Sequence, residues 1–323
     1  MMKRWTALWD HREHPRVIAL VRVVLACSLL ADFLRIQQLD MVVTLFGPHT
    51  EGGINNALER PVIPPLYRWF PASASTAVLV HAGVCLSALT FALGLFTRAS
   101  GLLLLLLHAQ LALVLPLGDR GIEMLMRNVL LILLFSQSHR CYSIDAWRKT
   151  GSFAGDATPI PAWPRHLVIL QLVVVYGFAG FQKTGLDWTP MGEFSALYIV
   201  LQDPAIALFD HSRWTSNLYL GTQVATAMTM LFEVSAPLLL LVYHFRTTPE
   251  KGGRVRKWVL AHNPHYWWMG FGACLHIGIA CTMALGIFPW AILGLYLAFL
   301  HPDEIVGISA WFGQARARAA RPG

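Results

Sequence analysis

The chain has 323 residues, 55% hydrophobic and only 13% charged, with a mean hydropathy of +0.51. Soluble domains carry about 25% charged residues, so these figures exclude a soluble domain and point to an integral membrane protein. The net charge of +7 does not mark a nucleic-acid partner. The basic residues lie in short loops between apolar segments, where they set topology.

In chain order, the first element resembles a signal sequence: Lys3, Arg4, Arg12 and Arg16 precede an apolar run that ends in Val24-Leu-Ala-Cys27. Arg22 interrupts that run and apolar residues continue to Phe33, so an uncleaved first span is expected. Eight segments are candidate spans by the length a bilayer demands: roughly 17–37, 74–96, 99–116, 121–138, 165–184, 222–244, 266–285 and 287–301, the last short and, after Gly286 and with Pro289, read as the second arm of a hairpin. The fold class is therefore all-α, a polytopic helix bundle of about eight spans, framed by a segment 1–16 and a short basic tail 302–323. Two longer connections, 38–73 and 185–221, are broken by prolines and carry Trp69, Trp188 and Trp214, which places both at an outer water–lipid boundary. The stretch 150–164 reads as an exposed loop. No internal repeat is evident. The five cysteines are scattered and read as small packing residues.

Charge sets the orientation. With the N-terminus cytoplasmic, the outer loops hold only Arg60, Arg68, Arg120 and Arg213, and the remaining loop arginines and lysines fall inside. Both termini are thus expected in the cytoplasm of a cell whose plasma (inner) membrane the chain spans, with the end of span five facing outward.

The polar residues inside the spans are the candidates for function, because each must face protein or water or find a partner. Lys183 closes span five. It either snorkels to the interface or enters a shielded pocket as a base. Tyr176, Gly180, Lys183 and Asp187 share one helical face, which offers Asp187 as the counter-ion of Lys183. His276 lies midway along span seven. His81, His108, Asp32 and Glu233 fall in the outer or middle third of their spans, either forming one polar cluster with His276 or bonding neighbouring helices separately. Pro237 cannot donate to the carbonyl of Glu233, so a free carbonyl and a carboxylate are expected at one kink. Glu123 and Arg127, four apart, read as an ion pair, as do Asp32 and Arg35. Arg22 reads as a snorkelling side chain. Phosphate loops, zinc-protease motifs and nucleophile elbows are absent, and no metal site is expected.

The run Gln171-Leu-Val-Val-Val-Tyr176-Gly-Phe-Ala-Gly180-Phe-Gln-Lys183, followed by Asp187-Trp188, resembles the HTTM (horizontally transferred transmembrane) superfamily, to which the vitamin K-dependent γ-glutamyl carboxylase belongs. His276 with Gly286-Ile-Phe288, Tyr142-Ser143-Ile-Asp145, and Glu233 with Pro237 support the likeness, which covers roughly 15–305. The resemblance implies a carboxylase-like lyase. Lys183 would be the base that deprotonates a reduced quinone, His276 its hydrogen-bonding or acid partner, and Tyr176, Gly180, Asp187, Trp188, Glu233, His81 and His108 the pocket. It also implies an exported peptide substrate reached from the outer side, with membrane lipids the other expected partners. Three features depart from the carboxylase: Ile122 stands where it has a second basic histidine, Gln182-Lys183 replaces paired lysines, and a short basic tail follows span eight in place of a large luminal domain. A non-enzymatic maturation partner for an exported peptide is the alternative, and a transporter the weaker one. On straight helices Lys183 and His276 differ in depth by about 15 Å, so tilt, a kink near Gly177 or Gly180, or a shifted boundary is expected to close part of the gap.

Overall fold

The computed structural model describes residues 11–54, 56–59, 62–156, 158–210, 218–248 and 250–305. Arg60, Arg213, Trp214 and the tail beyond Ile305 lie outside the described residues. Apart from one two-residue antiparallel pairing, Arg12–Glu13 (β1) with Ile160–Pro161 (β2), and an isolated bridge, the ordered elements are helical. The chain divides into two compact units, 1–166 with 300–323, and 167–299.

The first unit is built on α1 (Arg16–Gln38), α3 (Ala74–Leu93), α4 (Thr97–Val114) and α5 (Gly121–Phe135), with a short α2 (Val42–Phe46) and α6 (Ile144–Thr150) in the connections. In α1 the buried residues Val21, Leu25, Leu29 and Phe33 recur every four positions, and Ile18, Arg22 and Ala26 are buried beside them, which gives a broad face to the other helices. The six leucines 102–107 of α4 divide the same way: Leu104 is fully buried, and Leu102, Leu103 and Leu106 are exposed. Helix ends follow local chemistry. Ser73 caps α3 by accepting from Thr76 N, and Gly94 at φ 66° ends it.

Several polar assignments are corrected in this unit. Arg22 does not snorkel. Its side chain is fully buried and donates to the carbonyls of Ser138 and Tyr142 at 2.5 Å each. Arg127 pairs with Asp119 at 2.6 and 2.7 Å, while Glu123 pairs with Arg120. Because α5 begins only at Gly121, Asp119 and Arg120 are free to fold back onto its first turns. No ion pair joins Asp32 to Arg35 among the described residues. The expected loop 150–164 is exposed over Gly151–Ala154, but Ile160 and Ala162 are buried. Beside them Arg165 clasps the buried Glu13 at 2.7 and 2.8 Å.

Ser143 and Asp145, part of the family-like motif, are helix caps. Ser143 accepts from Ala146 N at 2.8 Å, and Asp145 accepts from Thr97 N, Thr97 Oγ1 and Phe96 N at 2.7–3.0 Å. Burial raises the Asp145 carboxyl, but these three hydrogen bonds outweigh it and hold the group below its ordinary 3.8. Asp145→Ala is expected to lower unfolding stability by about 1–2 kcal/mol in a detergent melt. A carboxylate depressed in the folded state stabilises above its unfolded value. The charge-linked part of the Asp145 contribution should therefore be full at neutral pH and be lost progressively as pH falls from about 3.8 through the lower folded-state value, narrowing the gap between wild type and variant.

The second unit contains most of α7 (Trp163–Gln182), then α8 (Ala196–Val200), α9 (Tyr219–Ser235), α10 (Leu238–Arg246), α11 (Arg254–His262), α12 (Pro264–Thr282) and α13 (Phe288–Leu295), which runs on as a 3₁₀ turn Tyr296–Phe299. α9 and α10 are the two arms of one apolar segment bent by 50° at Pro237. The carbonyl of Glu233 is not left free at this break, because Ala236 N donates to it at 3.1 Å in a tightened last turn.

Each of the eight expected spans coincides with a helix, but not all have membrane-spanning length and apolarity. Among the described residues α1, α3, α4 and α7 do, and the bent α9–α10 pair makes a fifth. α5 has 15 residues and the Phe288–Phe299 helix is shorter still. The structure is thus that of an all-α integral membrane protein with four or five helices of that kind.

Candidate functional site

Lys183 is placed by the end of α7. The helix stops at Gln182; Lys183 N still donates to Gly180 O at 3.2 Å, and the chain then turns into a 3₁₀ segment at Leu186–Trp188. Glu233 is placed by the last turn of α9, just before the proline break. The two helices approach closely because residue 180 is glycine: a Cβ there would lie 2.9 Å from Val234 N and 3.0 Å from Glu233 Cβ. The approach brings the Lys183 ammonium into an ion pair with the Glu233 carboxylate, whose residue is only 8% exposed. Lys183 Nζ also sits 4.9 Å from the centre of the Trp188 ring.

This pair stands at the wall of a cavity of about 490 Å³. The other walls are mainly apolar, among them Leu201, Met228, Phe271, Leu275, Ile279 and Met283. Thr226 and Thr229 also line it, but their hydroxyls are already committed to helix carbonyls. The connection after Trp188 closes one side. It is fastened to α9 through Leu197 N on Thr226 Oγ1 at 3.2 Å and Gln223 Nε2 on Glu193 O at 2.8 Å. It is fastened to the end of α12 by the backbone bonds Leu208 N to Thr282 O and Ala284 N to Ile206 O, at 3.0 and 2.6 Å.

A second polar group lies deeper in the same unit. The Tyr176 hydroxyl is 2.5 Å from His276 Nε2 and 2.6 Å from the Tyr296 hydroxyl. All three side chains are buried, inside a ring of Phe232, Trp268, Phe288 and Phe299. Gly272 makes room for it, since a Cβ there would come within 2.2 Å of the Tyr296 hydroxyl.

The expected residues therefore sort into groups. Lys183, Glu233 and Trp188 meet at the cavity, with Gly180 at the helix contact behind them. Tyr176 and His276 meet each other, and His276 does not line the cavity. No kink is needed to reconcile their depths, because His276 pairs with Tyr176, seven residues earlier than Lys183 on the same chain segment. Asp187 is not the counter-ion of Lys183. With α7 ending at Gln182 the shared helical face is lost, and Asp187 accepts instead from Ser195 Oγ at 3.2 Å. His81 and His108 lie in the first unit around Phe33. His81 Nε2 is 2.9 Å from Phe33 O, and the His108 ring meets the Phe33 ring edge-on at 5.6 Å. Cys27, Cys274 and Cys281 are exposed rather than packed inside, and Cys274 borders the cavity. Tyr296 was missed by sequence reasoning. The available signal was the common face of Trp268, Gly272 and His276, spaced by four along α12, which announces a small-residue contact with an aromatic partner.

Apolar helices of membrane length define an integral membrane protein, and this one holds an ion pair beside a mainly apolar cavity. The HTTM domain profile matches residues 11–249, and the chain belongs to that family. His276 and Tyr296 lie beyond the matched stretch. No curated protein and no solved structure matches the chain.

Proposed function

We propose that this HTTM-family protein is a carboxylase-like membrane enzyme in which the Lys183–Glu233 pair exchanges a proton with a lipid-soluble substrate of the reduced-quinone class, acting on an exported peptide from the outer side. In this reading it crosses the plasma (inner) membrane eight times, with both termini cytoplasmic. The observation that carries the reading is the ion pair on the wall of the cavity, whose other walls are mainly apolar.

The lining fits such a substrate. A ring system needs apolar faces and one polar edge, and the cavity offers Phe271, Leu275 and Met228 for the first and Lys183 with Glu233 for the second. A bound reduced quinone would supply the acidic hydroxyl and the reducing electrons. The pair is neutral overall and has room for one more proton. Glu233 can take that proton while the Lys183 ammonium remains to balance a developing oxyanion. Equivalently, a proton passed first from Lys183 to Glu233 leaves an amine as the base. Trp188 backs the ammonium, and the apolar walls keep water from competing for the proton.

The test is to purify the protein from membranes and identify co-purifying small molecules by mass spectrometry, for wild type and Lys183→Ala. A quinone in wild type, lost from a Lys183→Ala protein that still inserts and no longer forms product, is the expected result. Normal turnover by Lys183→Ala would reject the reading. A second reading, a maturation partner for an exported peptide, is favoured by the start of α5, where Ile122 stands at the position at which the resemblance expects a histidine and Glu123 is engaged by Arg120. It expects a tightly held polypeptide in place of the quinone, and loss of that polypeptide on changes within 38–73 or 185–221.

A further inference from the structure

The helix α11 (Arg254–His262) joins the bent α9–α10 segment to α12 and takes no part in the cavity. Its inward face is Arg256, Val259 and Leu260. The Arg256 guanidinium lies 4.7 Å over the Phe245 ring and donates to Lys251 O at 2.9 Å, which fastens the helix to α10. Its outward face is divided lengthwise at helical spacing. One edge carries Arg254 and Lys257, both exposed. The other carries Val255, Trp258 and His262, with Val255 63% and Trp258 55% exposed. Trp258 and His262 stack with ring centres 5.0 Å apart. From Arg246 to His262 the chain holds five basic side chains against one acidic, Glu250.

We propose that α11 is a docking face for anionic phospholipid, lying along one leaflet. The Trp258 edge would sit among the upper acyl chains while Arg254 and Lys257 meet phosphate. Two observations select this occupant. An exposed tryptophan beside an exposed valine is the pairing a water–lipid boundary favours. A cationic edge parallel to that apolar edge matches negatively charged headgroups held at the same depth. A soluble acidic protein would be met by the charges but would not require the apolar edge to enter lipid, and the test separates the two.

The full chain is placed in lipid nanodiscs of phosphatidylcholine that contain a minor fraction of either phosphatidylglycerol or phosphatidylcholine with brominated acyl chains. The quenching lost in Trp258→Phe isolates the Trp258 signal. The expected result is about tenfold enrichment of brominated phosphatidylglycerol over brominated phosphatidylcholine around Trp258, lowered by added salt. In R254Q/K257Q the preference should fall to near one while quenching by both lipids persists. Equal quenching by the two lipids in wild type would overturn the proposal, as would no quenching by either or an unchanged preference in the double variant. Native mass spectrometry gives a second readout that needs no Trp258 variant: wild type should retain phosphatidylglycerol and R254Q/K257Q should not, and equal retention counts against the proposal.

Discussion

Lys183→Met is expected to lower unfolding stability by about 3 kcal/mol, and the double variant Lys183→Met/Glu233→Leu to recover most of that loss. The single change removes the partner of a carboxylate whose side chain is only 11% exposed and leaves it facing mainly apolar walls. The double change removes both charges and fills the space with apolar side chains, which buried ion pairs tolerate well. Reversible unfolding in mixed detergent measures both. A single variant as stable as wild type would mean that water already solvates the pair, and the case for a shielded proton site would fall with it. The double variant should be folded but inactive, which separates a chemical role for the pair from a structural one.

Gly272→Ala should be nearly as damaging, at about 3 kcal/mol. Its Cβ would meet the Tyr296 hydroxyl at 2.2 Å and Phe232 Cζ at 2.8 Å, both inside a packed aromatic cluster. Gly270→Ala, two positions away on the same helix, meets nothing within 4 Å. It should be neutral or stabilise by up to about 1 kcal/mol through helix propensity. Gly272→Ala/Tyr296→Phe should recover part of the loss, since the nearest clashing atom is then gone. Equal melting of the Gly270 and Gly272 variants would show that the Tyr176–His276–Tyr296 group is loosely held.

Length and apolarity made the helices legible in the sequence, because a bilayer imposes both on any segment that crosses it. Lys183 and Glu233 were legible as individuals for the same reason, since a charge among apolar neighbours stands out. Their pairing was not. Asp187 lay nearer in sequence and on the right helical spacing, and only the end of α7 at Gln182 takes it away. Arg22 was misread because its partners are the carbonyls of Ser138 and Tyr142, more than a hundred residues along the chain. Backbone acceptors leave no signature in side-chain composition. Glu123 and Arg127 looked like an i, i+4 pair. Both turned to Arg120 and Asp119 because the residues before a helix start can reach its first turns. Tyr296 carried no charge to mark it, and the short final segment offered too few turns for its polar face to stand out.

The fastening of the connection after Trp188 to the tip of α12 has a kinetic consequence. With that side closed by backbone bonds and the remaining walls mainly apolar, a guest dissolved in the hydrocarbon would reach the proposed proton site sideways. Occupancy would then follow the mole fraction of the guest among lipids, not its molarity in buffer. Diluting proteoliposomes with water should leave the total guest needed for half-saturation unchanged, whereas adding empty lipid should raise it in proportion to total lipid.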